Sequence, residues 1–473
     1  MVLKRLTPGL FLIAVLGIWG CEHAVAPEPL DFGGITKIDY NKHVQRLFNE
    51  NCTDCHGNLQ AESGLNLSSW EQAIAGSDFG EAFIPFDSKN SRMIEILTKL
   101  NGGPHPKEYD ADTLSTEAGD FLAGWIDEGA QNGAGESPFQ NSTNRLYVCN
   151  QNQNMVSIVD TEANVVIRNI KMDDLGYSID SAPHFTAVEP DGSFWYLTLI
   201  RDGKVLKLNM QNEVVAEADV PVPAMLFLHP TEDVIYVSRF MSPDSPPTSV
   251  FIFNRETMTP VNGVENGEIS VNFRIPHAMA GDHAGKFLYT ASIPQNQLIV
   301  IDHAAKEVDE FISLGANKGP LQARVSPDDK LLFLSLQAAG QMLVLDVSDP
   351  QDRKIVATID VGANPWHPAF SPDGRFVYVG NNGSRSVSII DVAALQVVAT
   401  IEHPSLAQPH GMAVSRNGFA YVSNRNLDGS YKPRHDFGDN ANDGTISIID
   451  LATNQIVKVL EVGRFASGVS LQE

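Results

Sequence analysis

Beyond residue 143 the chain alternates short apolar runs with polar turns, and one pattern recurs seven times: an aromatic or aliphatic strand, a polar turn, and a second strand ending in Asp or Asn. The pairs occupy residues 146–160, 195–209, 235–254, 288–302, 332–346, 377–391 and 420–450. Runs of this length and alternation predict antiparallel strands. Several pairs follow a strand that ends in a Pro-Asp-Gly turn, as at Pro190-Asp191-Gly192 and Pro372-Asp373-Gly374, and precede an outer strand such as 397–401. The repeating unit therefore has four strands. Its marker aromatics, Tyr147, Tyr196, Tyr236, Tyr289, Phe333, Tyr378 and Tyr421, lie 49, 40, 53, 44, 45 and 43 residues apart, a spacing that suits propeller blades. The strand at 466–471 has nothing after it to pair with, and the strand at 146 has nothing before it. Pairing these two closes a seven-bladed ring and removes the sheet edges.

The first quarter of the chain has a different texture. A stretch rich in Gly, Asn and Ser at 131–143 reads as a linker, which divides a small all-α domain at 36–130 from an all-β seven-bladed propeller at 144–473. Before them, Lys4 and Arg5 precede an apolar run at 10–18 that is too short to span a bilayer as a mature helix, so residues 1–20 read as an export signal. The run ends Ile18-Trp19-Gly20-Cys21, which resembles the lipobox of bacterial lipoproteins. That resemblance implies lipidation of Cys21, a tether at 21–35, and a periplasmic or cell-surface protein anchored to a membrane through its lipid. The alternative is an ordinary cleaved signal with Cys21 incidental.

Composition narrows the class further. With 43% hydrophobic and 19% charged residues the chain is globular, and 33 Lys and Arg against 58 Asp and Glu give a formal charge of −25. A nucleic-acid backbone is excluded as a partner by that charge. Of the four cysteines, Cys149 lies in the strand-like Leu-Tyr-Val-Cys run and reads as a small buried apolar residue. The acidic loop 436–443 lacks the EF-hand register and reads as solvated rather than calcium-binding.

The strongest chemistry is Cys52-Thr53-Asp54-Cys55-His56. Two thiols three residues apart can each add to a haem vinyl group, and the adjacent imidazole then reaches the iron from the same side. A zinc site would need two more ligands at matching spacing, and a thioredoxin-like pair has little use for His56. One covalent haem c is therefore expected, in an oxidising compartment that the export signal independently supplies.

The surrounding pieces are similar to the small cytochrome c domains of planctomycete and Bacteroidetes chains. His56-Gly57, Gly64-Leu65-Asn66-Leu67, the segment from Pro85 through Ser91 to Ile94, and Trp125-Ile126-Asp127-Glu128-Gly129-Ala130 follow in that family's order. Where the family carries Met-Pro-Pro, this sequence has Gly103-Pro104-His105-Pro106. His105 is the first choice of distal iron ligand, with Met93 and an open site as alternatives. Exchanging Met for His would lower the reduction potential, because thioether sulfur favours ferrous iron. His43 reads as a polar residue of the first helix rather than a ligand.

In the repeat domain, Val377-Tyr378-Val379-Gly380-Asn381 and Ala420-Tyr421-Val422-Ser423-Asn424 resemble the repeat named for Tyr-Val-Thr-Asn in bacterial seven-bladed propellers. Counting back from each turn places His184, Met225, His277, Leu321, Trp366 and His410 at the start of successive inner strands, with His367 beside Trp366. His184, His277 and His410 should thus gather at one mouth of the channel, beside insertions at 240–248 and 424–444. Such a ring could take copper, zinc or a further haem, as in nitrous-oxide reductases and propeller-bearing nitrite reductases. The competing reading makes each a polar strand-entry residue bonded to the next blade. Two functions follow: an electron-transfer protein whose propeller docks a redox partner, or a redox enzyme with its site at the propeller mouth and the cytochrome as relay.

Overall fold

A computed structural model describes residues 30–99, 105–106, 113–240 and 247–472. The export signal, Cys21 and the tether up to residue 29 lie outside the described residues, as do Gly103 and Pro104. Among the described residues no helix is long and apolar enough to cross a membrane.

The described residues beyond 144 form seven four-stranded antiparallel sheets, each a blade. Six blades run consecutively from the channel outward. In the first, the innermost strand comes from the C-terminus: Ala466–Gln472 pairs with Arg145–Asn150, with Leu471 opposite Leu146 and Val469 opposite Val148. The closure expected from two unpartnered strands is what the chain adopts. It leaves the inner strand of every blade beside another and removes the free edges of an open ring.

The marker aromatics explain how the blades stack. All seven are at most 2% exposed, so each fills the space between neighbouring sheets. Two of the tyrosine hydroxyls find polar partners across the gap as follows: Tyr421 donates to Asn164 Oδ1 at 2.9 Å, linking blade seven to blade one, and the Tyr236 hydroxyl meets His303 Nδ1 at 2.7 Å between blades three and four. Cys149 is fully buried among them.

The N-terminal domain is small and helical. Helices α1 (Gln45–Asn51), α2 (Trp70–Ile74), α3 (Arg92–Lys99) and α4 (Thr116–Asp127) are joined by short 3-10 turns and irregular chain, and a π-helical turn at Tyr40–Val44 leads into α1. Ser69 and Ser115 cap α2 and α4 by accepting from the backbone N–H groups of Gln72 and Ala118. Tyr40, Val44, Phe48, Phe83, Leu122 and Trp125 make the core.

This domain is docked on the outer strands of blades one and seven. Asp87, 3% exposed, accepts from Lys171 Nζ at 2.9 Å and Asn169 Nδ2 at 2.8 Å. Ile84 joins the apolar cluster of Leu146, Val148, Val166 and Leu460. The insertion between Asn424 and Gly444 reaches across to it, with Phe437 under the Arg92 guanidinium and Arg434 over the ring of Phe79.

Candidate haem site and channel cluster

The Cys-x-x-Cys-His segment begins where α1 ends. Cys52 closes the helix, its N–H donating to Phe48 O, and the chain then coils so that the N–H groups of Cys55 and His56 both donate to Cys52 O. This tight turn holds both thiols and the imidazole on one short stretch. Gly57 is needed to leave it, because a Cβ there would stand 2.2 Å from Thr53 O. Both thiols are free; Cys55 is exposed, while burial pushes the Cys52 thiol up to about 12, so it stays protonated.

His56 faces His105. Their ring centres are 6.1 Å apart. Two imidazoles bound to opposite sides of one metal ion at about 2.0 Å through nitrogen would have centres about 6 Å apart. His105 is tied to α3 by its N–H donating to Ile96 O at 3.1 Å. Burial and the neighbouring His105 hold the His56 ring below its ordinary value, with the carbonyls of Leu65 and Glu62 pulling the other way. Two unbridged cysteines three residues apart and a pair of imidazoles with centres 6.1 Å apart fit a covalent haem. Met93, 9% exposed, belongs to the domain core with Phe83 and Trp125. His43 accepts from the Asp39 N–H at the start of its helical turn.

In the propeller, the inner-strand histidines do converge. His184 starts blade two, His277 precedes the short inner strand of blade four, His367 lies in blade six and His410 in blade seven. Ring centres are 5.9 Å apart for His184 and His277, 6.3 Å for His184 and His410, and 5.0 Å for His367 and His410. Close approach near the axis comes from glycine: a Cβ on Gly468 would be 2.3 Å from His184 O, and one on Gly411 would be 2.5 Å from Ser467 O. Blades seven and two can therefore press against the closing strand. Phe240 packs on His184 and His277, and Trp366 on His410 at 4.1 Å.

All four histidines are at most 3% exposed, and burial is the main cause holding each imidazole below its ordinary value. The strand-entry reading describes only His277, whose Nδ1 faces Leu321 O in the next blade at 3.2 Å. His184 and His410 have no hydrogen-bond partner on either ring nitrogen, and His367 none on Nε2.

The expectation of a copper or zinc ion on His184, His277, His410 and His367 finds no support. Among the described residues no three His, Cys, Asp or Glu side chains are grouped as a metal ion requires. One physical reason stands against it: Arg425 and Arg324 bring positive charge to the same space. Phe240 and Arg425 lie in the two insertions expected beside the mouth, whereas Arg324 is what the sequence does not announce. Arg425 directly follows the Tyr-Val-Ser-Asn strand, at the root of the long insertion, and that position was its one available signal.

Residues 52–103 match the planctomycete cytochrome C family, and residues 271–472 match the YNCE-like beta-propeller family. The chain joins a cytochrome c domain to a YNCE-like propeller. Over 267 residues, 51% of the chain, it is 33% identical to hydrazine synthase subunit beta of Kuenenia stuttgartiensis and spans 60% of that relative. Among solved structures, the periplasmic gluconolactonase PpgL of Pseudomonas aeruginosa is 16% identical with a TM-score of 0.55, over 70% of this chain and 99% of that one. The dihydro-heme d1 dehydrogenase NirN, solved in complex with DHE, is 14% identical with a TM-score of 0.50, over 90% and 98%. At such identities the likeness is one of propeller fold, not of chemistry.

Proposed function

We propose that the protein is an exported haem c electron-transfer protein whose iron is held between His56 and His105, with the propeller as the body against which it works. The observation that supports this reading is the 6.1 Å separation of the two rings beside the Cys52/Cys55 turn. Covalent haem, when bound, supplies a one-electron redox centre. The chain's own residues do the rest: α1 and its terminal turn orient the thiols, α3 positions His105, and the core under Trp125 keeps water from the inner side. Cys55 and Leu59 stand exposed beside the turn, so a redox partner meets the protein there. Electron paramagnetic resonance of the oxidised protein tests the reading. A low-spin bis-imidazole signal is expected, and a signal of sulfur ligation or a high-spin iron would defeat it.

A second reading, a redox enzyme with the cytochrome as relay, is favoured by one observation. The insertion that roots Arg425 against the channel histidines extends to Arg434 and Phe437 on the cytochrome domain, so a single segment touches both places. Turnover would then depend on the channel residues, and steady-state oxidation of the reduced haem by candidate substrates would fall in channel variants.

A further inference from the structure

The channel cluster carries a charge problem. The Arg425 guanidinium lies over the rings of Trp366 at 4.2 Å and Phe465 at 4.4 Å, and its Nε is buried without a partner. Stacked on aromatic rings, a guanidinium keeps its N–H donors in its own plane, a geometry suited to a flat acceptor. Burial drives its pKa down to about 9, and no carboxylate pairs with it or with the nearby Arg324 among the described residues. Around it stand His184 and His410, each with both ring nitrogens unpartnered, and His367 with Nε2 unpartnered. A neutral imidazole always offers one N–H donor. His277 is different, since its Nδ1 already faces Leu321 O. Buried imidazole donors beside a half-buried cation that no acid pairs are costly unless something negative sits among them.

We propose that the channel binds a small planar monoanion, of nitrate or carboxylate size, held by Arg425 and the imidazoles of His184, His367 and His410. The chemistry is that of a charge-assisted fork: two in-plane guanidinium N–H groups meet two oxygens of the anion, and imidazole N–H groups meet the rest. Phe240 and Trp366 shield the site from bulk water, which strengthens each contact. The proposal goes beyond either reading of the haem and stands whether or not electrons reach the channel.

The test is isothermal titration calorimetry of the haem-loaded protein with sodium nitrate and with sodium formate, in a chloride-free zwitterionic buffer, while the haem absorption spectrum is followed in parallel. One site per chain is expected, with an unchanged haem spectrum. Arg425→Gln should weaken binding at least tenfold, and Arg425→Lys, which keeps the charge but not the fork, should weaken it less. Unaltered haem absorption and circular dichroism in both variants show that the propeller is still folded; if Arg425→Gln does not fold, His184→Leu carries the same expectation. Binding of neither anion by the wild type would show a water-filled channel and overturn the proposal. Equal affinity in the variants, or a haem spectrum that shifts as the anion binds, would place the anion elsewhere and overturn it as well.

Discussion

Met93 and His105 are rivals for the same face of the iron, and their surroundings separate them. Met93 is a core residue, tied through its own N–H to Ala82 O, while the His105 ring stands opposite His56. Met93→Leu should therefore leave the haem spectrum and reduction potential unchanged and cost less than about 1.5 kcal/mol in urea unfolding, as a volume-conserving core exchange does. His105→Ala should open the sixth position and give a high-spin ferric spectrum at neutral pH. The reverse pattern would make Met93 the ligand. Cys52→Ala combined with Cys55→Ala should abolish haem stain on a denaturing gel. These residues could be read from sequence because the chemistry itself fixes their spacing within one short turn. Arg425 could not: its partners Trp366 and Phe465 lie 59 and 40 residues away in the chain, and only the closed ring brings them to it.

At the scale of elements, the propeller was legible because every blade repeats one tyrosine or phenylalanine that must fill an inter-sheet gap. Even the short inner strand of blade four, Ala280–Gly281, is located by Tyr289 opposite Ala280. What periodicity does not reveal is how tightly inner strands crowd the axis. Gly468 sits where a side chain would strike the backbone of His184, so Gly468→Ala should destabilise by about 1–3 kcal/mol through forced strand movement. Gly119, within α4, is the opposite case, since a Cβ added there would meet nothing within 4 Å. Gly119→Ala should therefore stabilise by about 1 kcal/mol through helix propensity alone. Urea unfolding of the two variants, read in the far ultraviolet, checks both signs. A neutral Gly468→Ala would mean that blades seven and two do not press on the closing strand.

Across the whole molecule, the contact between the domains was not legible, because its members are remote in sequence: Asp87 and Lys171 are 84 residues apart, and Arg92 pairs with Glu461. A polar stretch such as 131–143 carries no record of which faces meet. The contact forms a cleft of about 500 Å³ lined by acidic and basic side chains together, among them Glu81, Asp443, Arg92 and Arg464. Glu81 Oε2 accepts from the Val166 N–H at 2.9 Å, yet burial pushes this carboxyl up to about 7 against the pull of that bond, Arg92 and Lys458. Asp443 is likewise pushed up to about 7, by burial and by Glu461 and Glu95, with Arg92 and Arg464 opposing. A carboxyl whose folded value lies above its unfolded one binds its proton more tightly in the folded protein. Its contribution is fully present below the unfolded values of 4.5 and 3.8 and is lost as pH rises through about 7. The buried channel histidines run the opposite way: with folded values below 6.5, their contribution is present above 6.5 and is lost as pH falls. Comparing proteins that differ only in the cleft removes that second effect. The drop in melting temperature between pH 5 and pH 8 should be larger in the wild type than in Glu81→Gln with Asp443→Asn, where Gln keeps an acceptor for the Val166 N–H. Because the acids sit at the domain contact, limited proteolysis should also release the cytochrome domain faster at pH 8 than at pH 5 in the wild type, and at nearly equal rates in the double variant. Matching pH profiles in the two proteins would show that the cleft carboxyls titrate as ordinary surface acids and do not govern how the haem domain is held.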